Sequence, residues 1–300
     1  DNGSHSAAVA RATSYFSPTS SFGDRTGGIG YYQFLEKTVR DYDRDPKALI
    51  RKLKEVAGKL FTADNMLLSY TADDKGFAAL ESSMEKLTAK LPAGDGRKYE
   101  YAYEPDHKNE GFKTSSQVNY VARCGNFRKA GYEYTGVLRI LKLILSYDYL
   151  WLNLRVKGGA YGCMSGFGRS GEGYFVSYRD PNVAQTNDVY ESIPAYLEQF
   201  DVDERDMTKY VIGTVSAMDT PLTPADKGAR ALSAWLSGVT DEMLQEEREQ
   251  VLQAQPSDIR KLAGIVKAIL ETDSLCTIGN EEKIEASRRM FGETKPLYTM

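Results

Sequence analysis

The run "VLRILKLILSYDYLWLNL", Val137–Leu154, sets the strongest limit on what this chain can fold into. It is apolar enough to demand cover. Arg139, Lys142 and Asp148 interrupt it, so it falls short of the ~18 to 20 uninterrupted apolar residues of a membrane span. It reads as the larger part of a buried helix over Tyr132–Leu154. What flanks it then decides the fold class.

Strand patterns lie on both sides. "SQVNYVARCGNF" precedes the helix, and "AYGCMSGF" and "GYFVSYRD" follow it. The last places Tyr174, Val176 and Tyr178 on one face and Phe175, Ser177 and Arg179 on the other. Helical patterns come next, among them "VAQTNDVYESIPAYLEQF" and "SDIRKLAGIVKAIL", before a last strand "SLCTIG" and a last helix "EKIEASRRMF". Strands and helices in blocks predict an α+β fold, an antiparallel sheet with helices packed on one side.

The first part of the chain is different. Residues 5–91 carry several helical patterns and one strand pattern, "NMLLSYTA" (Asn65–Ala72). In "KALIRKLKEVAGKLF", Leu49, Leu53, Val56 and Leu60 form one stripe behind an Asp45-Pro46 start. One strand is too few for a sheet. Residues 1–91 are therefore expected to be the C-terminal part of one domain, 92–111 a linker, and 112–300 a complete second domain. The linker is rich in Pro, Gly and charge, and its alternating Tyr99, Tyr101 and Tyr103 fit an extended edge strand.

Composition narrows the function classes. With 41% hydrophobic and 27% charged residues, the chain has the balance of a soluble globular protein. A net charge of −4 gives no footprint for nucleic acid or an anionic membrane, so neither is expected as a partner. Cys124, Cys163 and Cys276 are scattered and odd in number, which argues for a reducing compartment. No basic segment followed by an apolar one marks a signal peptide at the start. His5 and His107 lie far apart in polar stretches, and neither H-E-x-x-H nor H-x-x-E-H occurs. Both histidines read as solvated surface residues, and no metal is expected on this chain.

Three motifs remain. "GFGRSG" (Gly166–Gly171) matches G-x-G-x-x-G, but a dinucleotide site needs a helix directly after the glycines. A strand pattern follows instead, so the glycines read as a hairpin loop and a nucleotide-binding domain is set aside. Cys124 and Cys163 sit in strand-like segments with no histidine nearby, and read as small buried residues. "RVKGGAYG" is the third. Arg155 ends the apolar helix, Gly158 and Gly159 make a turn, and Tyr161 opens a strand. Such a turn can aim a guanidinium and a phenol into one cleft, two donors suited to a developing oxyanion. The alternative is an arginine capping the helix end and a tyrosine packed in the core.

"LRVKGGAYG", with "YFVSYRDPN" (Tyr174–Asn182) downstream, resembles the C-terminal half of the insulinase/pitrilysin-type zinc peptidases, in the presequence-protease branch. "ARATSYFSPTSSFGDRTGGIGYYQFL" (Ala10–Leu35) resembles the end of the third domain in that branch. Full-length members have four homologous domains in two halves around a closed chamber, where unstructured peptides are degraded. The resemblance implies that 1–91 closes the third domain and 112–300 is the fourth. It also implies that Arg155 and Tyr161 reach a zinc site on the N-terminal half, with Gly158 and Gly159 close to the substrate. The zinc motif itself is absent. The chain is then either part of a longer zinc endopeptidase, inactive alone, or a non-catalytic peptide-binding or scaffold subunit that pairs with a separate zinc-bearing chain. The compartment expected is the cytoplasm in a bacterium or an organelle matrix in a eukaryote.

Overall fold

A computed structural model describes residues 3–97 and 100–298. The chain begins with helices α1 (Ser4–Ser14), α2 (Pro18–Gly27), α3 (Ile29–Tyr42), α4 (Pro46–Leu60) and α5 (Asp74–Thr88). Strands β1 (Glu110–Thr114) and β2 (Tyr120–Asn126), helix α6 (Val137–Ile144), and the hairpin β3 (Gly162–Phe167) and β4 (Glu172–Tyr178) follow. Then come α7 (Ala184–Glu191), α8 (Ile193–Glu198), α9 (Glu204–Met218), α10 (Pro224–Ser237), α11 (Asp241–Leu252) and α12 (Pro256–Glu271). The last elements are β5 (Ser274–Asn280), α13 (Glu281–Ala286) and β6 (Glu293–Pro296).

The chain divides into two compact units. The first comprises Asp1–Tyr32, Tyr103–Asp219 and Gln245–Met300, and the second Gln33–Ala102 and Thr220–Leu244. The first unit holds a six-stranded sheet in the order β3-β4-β2-β5-β1-β6. Strand alternation sends Val121, Phe175 and Leu275 to one face, against Leu138, Leu141 and Ile144 of α6 and Val266 and Ile269 of α12. Ala122, Cys124, Val176 and Cys276 point to the other face and pack with Ala8 and Ala12 of α1.

The α+β class holds. In two particulars the sheet differs from the expectation: it is mixed, because β1 runs parallel to both β5 and β6, and α1 covers its second face. Glu110 and Gly111, assigned from sequence to the linker, are the first residues of β1. Glu110 is fully buried because α1 brings it a counter-charge. Arg11 donates to both its carboxylate oxygens at 2.6 and 3.0 Å, Tyr15 donates at 2.8 Å, and the Lys295 ammonium is 2.7 Å away. Arg11 also bonds Asp24 of α2 at 2.6 Å. Three elements, α1, β1 and β6, thus meet at one carboxylate, and Arg11 ties α2 to them.

Other local expectations shift as well. The long helix begins at Val137 and continues beyond Ile144 through π-helical turns at Leu145–Tyr149 and Trp151–Lys157. Asn65–Ala72 forms no strand, and neither do residues 100–109; Tyr99 lies outside the described residues.

The second unit is built on the end of α3 and on α4, α5 and α10. Its caps are sound. Asp45 accepts from the Ala48 amide at 3.1 Å, and Thr223 and Asp226 form a reciprocal capping box on α10. None of the described residues of α4, α5 or α10 is buried.

Candidate functional site

The turn between the apolar helix and β3 carries the two residues singled out from sequence. The last helical turns, Trp151–Lys157, are π-helical, a form found often at functional sites. Trp151 and Arg155, four residues apart, share a face there. The chain then reverses over two glycines. Gly159 has φ +81°, open at little cost only to a residue without Cβ, and a Cβ on Gly158 would lie 2.7 Å from the Leu154 carbonyl oxygen. The reversal is closed by the Gly159 amide donating to Arg155 O at 3.1 Å and the Ala160 amide to Leu154 O at 2.9 Å.

This turn brings Arg155 and Tyr161 together. The Arg155 guanidinium carbon lies 4.3 Å from the centroid of the Trp151 ring and 5.3 Å from that of Tyr161. Its Nη1 donates to the Tyr161 carbonyl. Each ring contact contributes about 0.5–1 kcal/mol at a site this open. Tyr161 is 64% exposed, so it does not pack in the core. Among the described residues its hydroxyl makes no hydrogen bond and Arg155 makes no ion pair. Its ring leans on Tyr178, centroids 6.0 Å apart, and Tyr178 in turn meets Tyr120 at 5.5 Å and His5 at 5.1 Å.

Sequence reasoning missed Trp151 and Tyr178 as supports of this pair. Trp151 was read only as one more apolar residue of the long helix, and the strand alternation placed Tyr178 on a face without naming its neighbour. His5 is half-buried against Tyr178, not solvated, whereas His107 is exposed. Of the glycines of "GFGRSG", Gly166 lies in β3 and Gly168 and Gly171 in the β3–β4 hairpin loop, with the Gly168 amide donating to Glu172 O at 2.7 Å.

The cysteines are free thiols. Burial pushes Cys163 up to about 11 against the pull of Arg155, and Cys124 up to about 12. Both stay protonated near neutral pH, the wrong state for a nucleophile. Among the described residues no three His, Cys, Asp or Glu side chains gather where they could hold a metal ion. The residues present do not fit a zinc site. A groove of about 370 Å³ lined by Phe34, Tyr42 and Leu49 lies in the second unit, in a stretch without the Arg/Tyr pair.

The site so described is a guanidinium and an exposed phenol at the start of one strand of a mixed sheet that carries helices on both faces. Residues 109–278 match the family model described as the PreP C-terminal domain. The chain is 40% identical over 292 residues to Protein HypA of Clostridium perfringens, covering 97% of this chain and 30% of that protein. It is 31% identical over 296 residues to Presequence protease 1, chloroplastic/mitochondrial, of Arabidopsis thaliana, covering 97% of this chain and 27% of that protein. The crystal structure of pitrilysin superposes on 68% of this chain and 23% of its own, with TM-score 0.47 and 15% identity. The chain belongs to the presequence-protease (PreP) family and carries its C-terminal domain. It spans less than a third of the length of these two relatives.

Proposed function

We propose that this chain is the C-terminal part of a zinc endopeptidase that degrades unstructured peptides, and that Arg155 and Tyr161 donate hydrogen bonds to the scissile carbonyl. The observation that carries this reading is the pair itself. A guanidinium lies against the rings of Trp151 and of the exposed Tyr161, with no acceptor inside the described chain for the Tyr161 hydroxyl and no carboxylate for the arginine. One N–H of Arg155 is committed to the Tyr161 carbonyl, which leaves four of its five for a ligand. Donors of this kind hold an oxygen more tightly as negative charge grows on it, and so favour the transition state over the bound substrate. Gly158 and Gly159 let an extended peptide approach the turn closely.

The zinc that the family resemblance implies is assigned in this reading to another part of the protein, consistent with the lack of three clustered ligand side chains among the described residues. An N-terminal half bearing it is the partner this reading requires, with the peptide enclosed between the halves. Residues 1–91 would then close the third domain, and 112–300 form the fourth. The relative from Arabidopsis thaliana is named as chloroplastic and mitochondrial, and the one from Clostridium perfringens is bacterial. An organelle matrix or a bacterial cytoplasm is accordingly the compartment proposed.

Tyr161→Phe in the full-length enzyme removes one hydroxyl and keeps the ring. Turnover of an unstructured peptide should fall roughly 10²- to 10³-fold, with fold and zinc content unchanged. Arg155→Lys keeps the charge, loses the planar fork, and should not restore activity. Near-parental turnover in both variants would overturn the assignment.

A further inference from the structure

Of the five residues between Arg155 and Tyr161, two are adjacent glycines, the softest link a chain can make. Donors to a transition state must nonetheless be held within ~0.5 Å of their working positions. The restraint has to come from outside the turn. The motif "RDPN" (Arg179–Asn182), directly after β4, is placed to supply it.

The loop grips the turn at both ends. The Tyr161 amide donates to Tyr178 O at 3.1 Å and to Arg179 O at 3.3 Å. The Asn182 side-chain amide donates to Gly158 O at 2.8 Å, across 24 positions of sequence. Between them, a Cβ placed on Gly159 would lie 3.5 Å from Pro181 Cγ. Gly158 O is one of the carbonyls that a helix end leaves without a partner, so the Asn182 amide both satisfies it and fixes its direction.

The loop itself is rigid. Arg179 sits at φ +50°, a left-handed conformation that a residue with a side chain adopts only under constraint. Buried Asp180 exchanges two backbone bonds with Asn119 at 2.7 and 2.8 Å. Its carboxylate accepts from the Asn182 backbone N–H at 2.9 Å and from the Thr186 hydroxyl at 2.6 Å. Asn182 is thereby anchored to the sheet before it reaches for Gly158.

We infer that Asn182 is a positioning residue, whose bond to the Gly158 carbonyl fixes the Gly158–Gly159 turn so that Arg155 and Tyr161 act on one substrate oxygen. This rests on the donor reading of that pair. The test is a double-mutant cycle in the full-length enzyme, with Asn182→Ala, Tyr161→Phe and the two combined. Asn182→Ala should lower kcat roughly 10- to 10²-fold with KM nearly unchanged, since ground-state contacts stay and alignment goes. In the Tyr161→Phe background the same change should cost clearly less than in the parent, because the part of its effect that passes through the hydroxyl is already gone and only Arg155 remains to be aligned. If Asn182→Ala unfolds the protein, Asn182→Asp is read instead, equal in size and with no N–H to give. An impaired Tyr161→Phe beside an unimpaired Asn182 variant, or equal losses in both backgrounds, overturns the positioning role alone. An unimpaired Tyr161→Phe overturns the donor reading and this inference with it.

Discussion

Helices α12 and α4 carry the same kind of apolar stripe and end in different surroundings. In α12, Ile259, Leu262, Ala263, Ile265, Val266, Ala268, Ile269 and Leu270 are all buried. In α4 the stripe of Leu49, Leu53, Val56 and Leu60 leaves no residue buried, and Leu53 is 60% exposed. Period and propensity do not separate them. What differs is the surface within reach, because the first unit contains a six-stranded sheet with two faces, and the described residues of the second contain no strand. An amphipathic pattern states which side of a helix wants cover. It does not say that cover is present.

The largest test of this contrast falls on the charge cluster that fastens α1 to the sheet. Burial pushes the Glu110 carboxyl up, but hydrogen bonds and charge from Arg11, helped by Lys295 and Tyr15, more than reverse it and hold it at about 2. Glu110→Ala would leave the Arg11 guanidinium buried without its main partner and should cost about 3–5 kcal/mol in urea denaturation. The same group makes the first unit sensitive to acid. With a folded value near 2 and an ordinary value of 4.5, its contribution is complete above pH 4.5. It is lost as pH falls through the interval down to about 2, and amounts to up to about 3 kcal/mol. Glu110→Ala should remove that slope. A variant with parental stability and an unchanged acid profile would show that packing alone holds α1.

Ile269 gives the next effect. It is fully buried at the contact of α12 with the sheet, so Ile269→Ala should cost about 2–5 kcal/mol. A loss under about 1 kcal/mol would mean that the two stripes differ less than their burial indicates.

Strands with alternating faces or a hairpin partner were legible, as β2, β3, β4 and β5 show. Strand β1 was not. "EGFKT" has only five residues, pairs in parallel with strands distant in sequence, and opens on a glutamate whose buried state depends on Arg11, 99 positions earlier. No local pattern encodes that partnership. The same holds for the candidate site. Arg155, Tyr161 and the glycine turn could be read from eight consecutive residues, because a helix end, a reversal and a strand start are local events. The stacking of Trp151 depends on π-helical turns, and the bond from Asn182 on a loop 24 positions away. Sequence showed which groups could do chemistry, and tertiary structure shows what holds them.

The smallest expected effect is the sharpest check on α4. Leu53→Lys exchanges two good helix formers, so helix propensity hardly changes. If the stripe is uncovered in the 300-residue chain, the substitution removes no packing and buries no charge, and stability should stay within about 0.5 kcal/mol. Adding a lysine should also shrink the exposed apolar surface that binds hydrophobic dye and promotes association. Lower dye fluorescence and less oligomer on a sizing column are therefore expected at unchanged stability. A loss of 2 kcal/mol or more would instead mean that a partner surface already covers Leu53, since only a buried stripe penalises a charge on that scale.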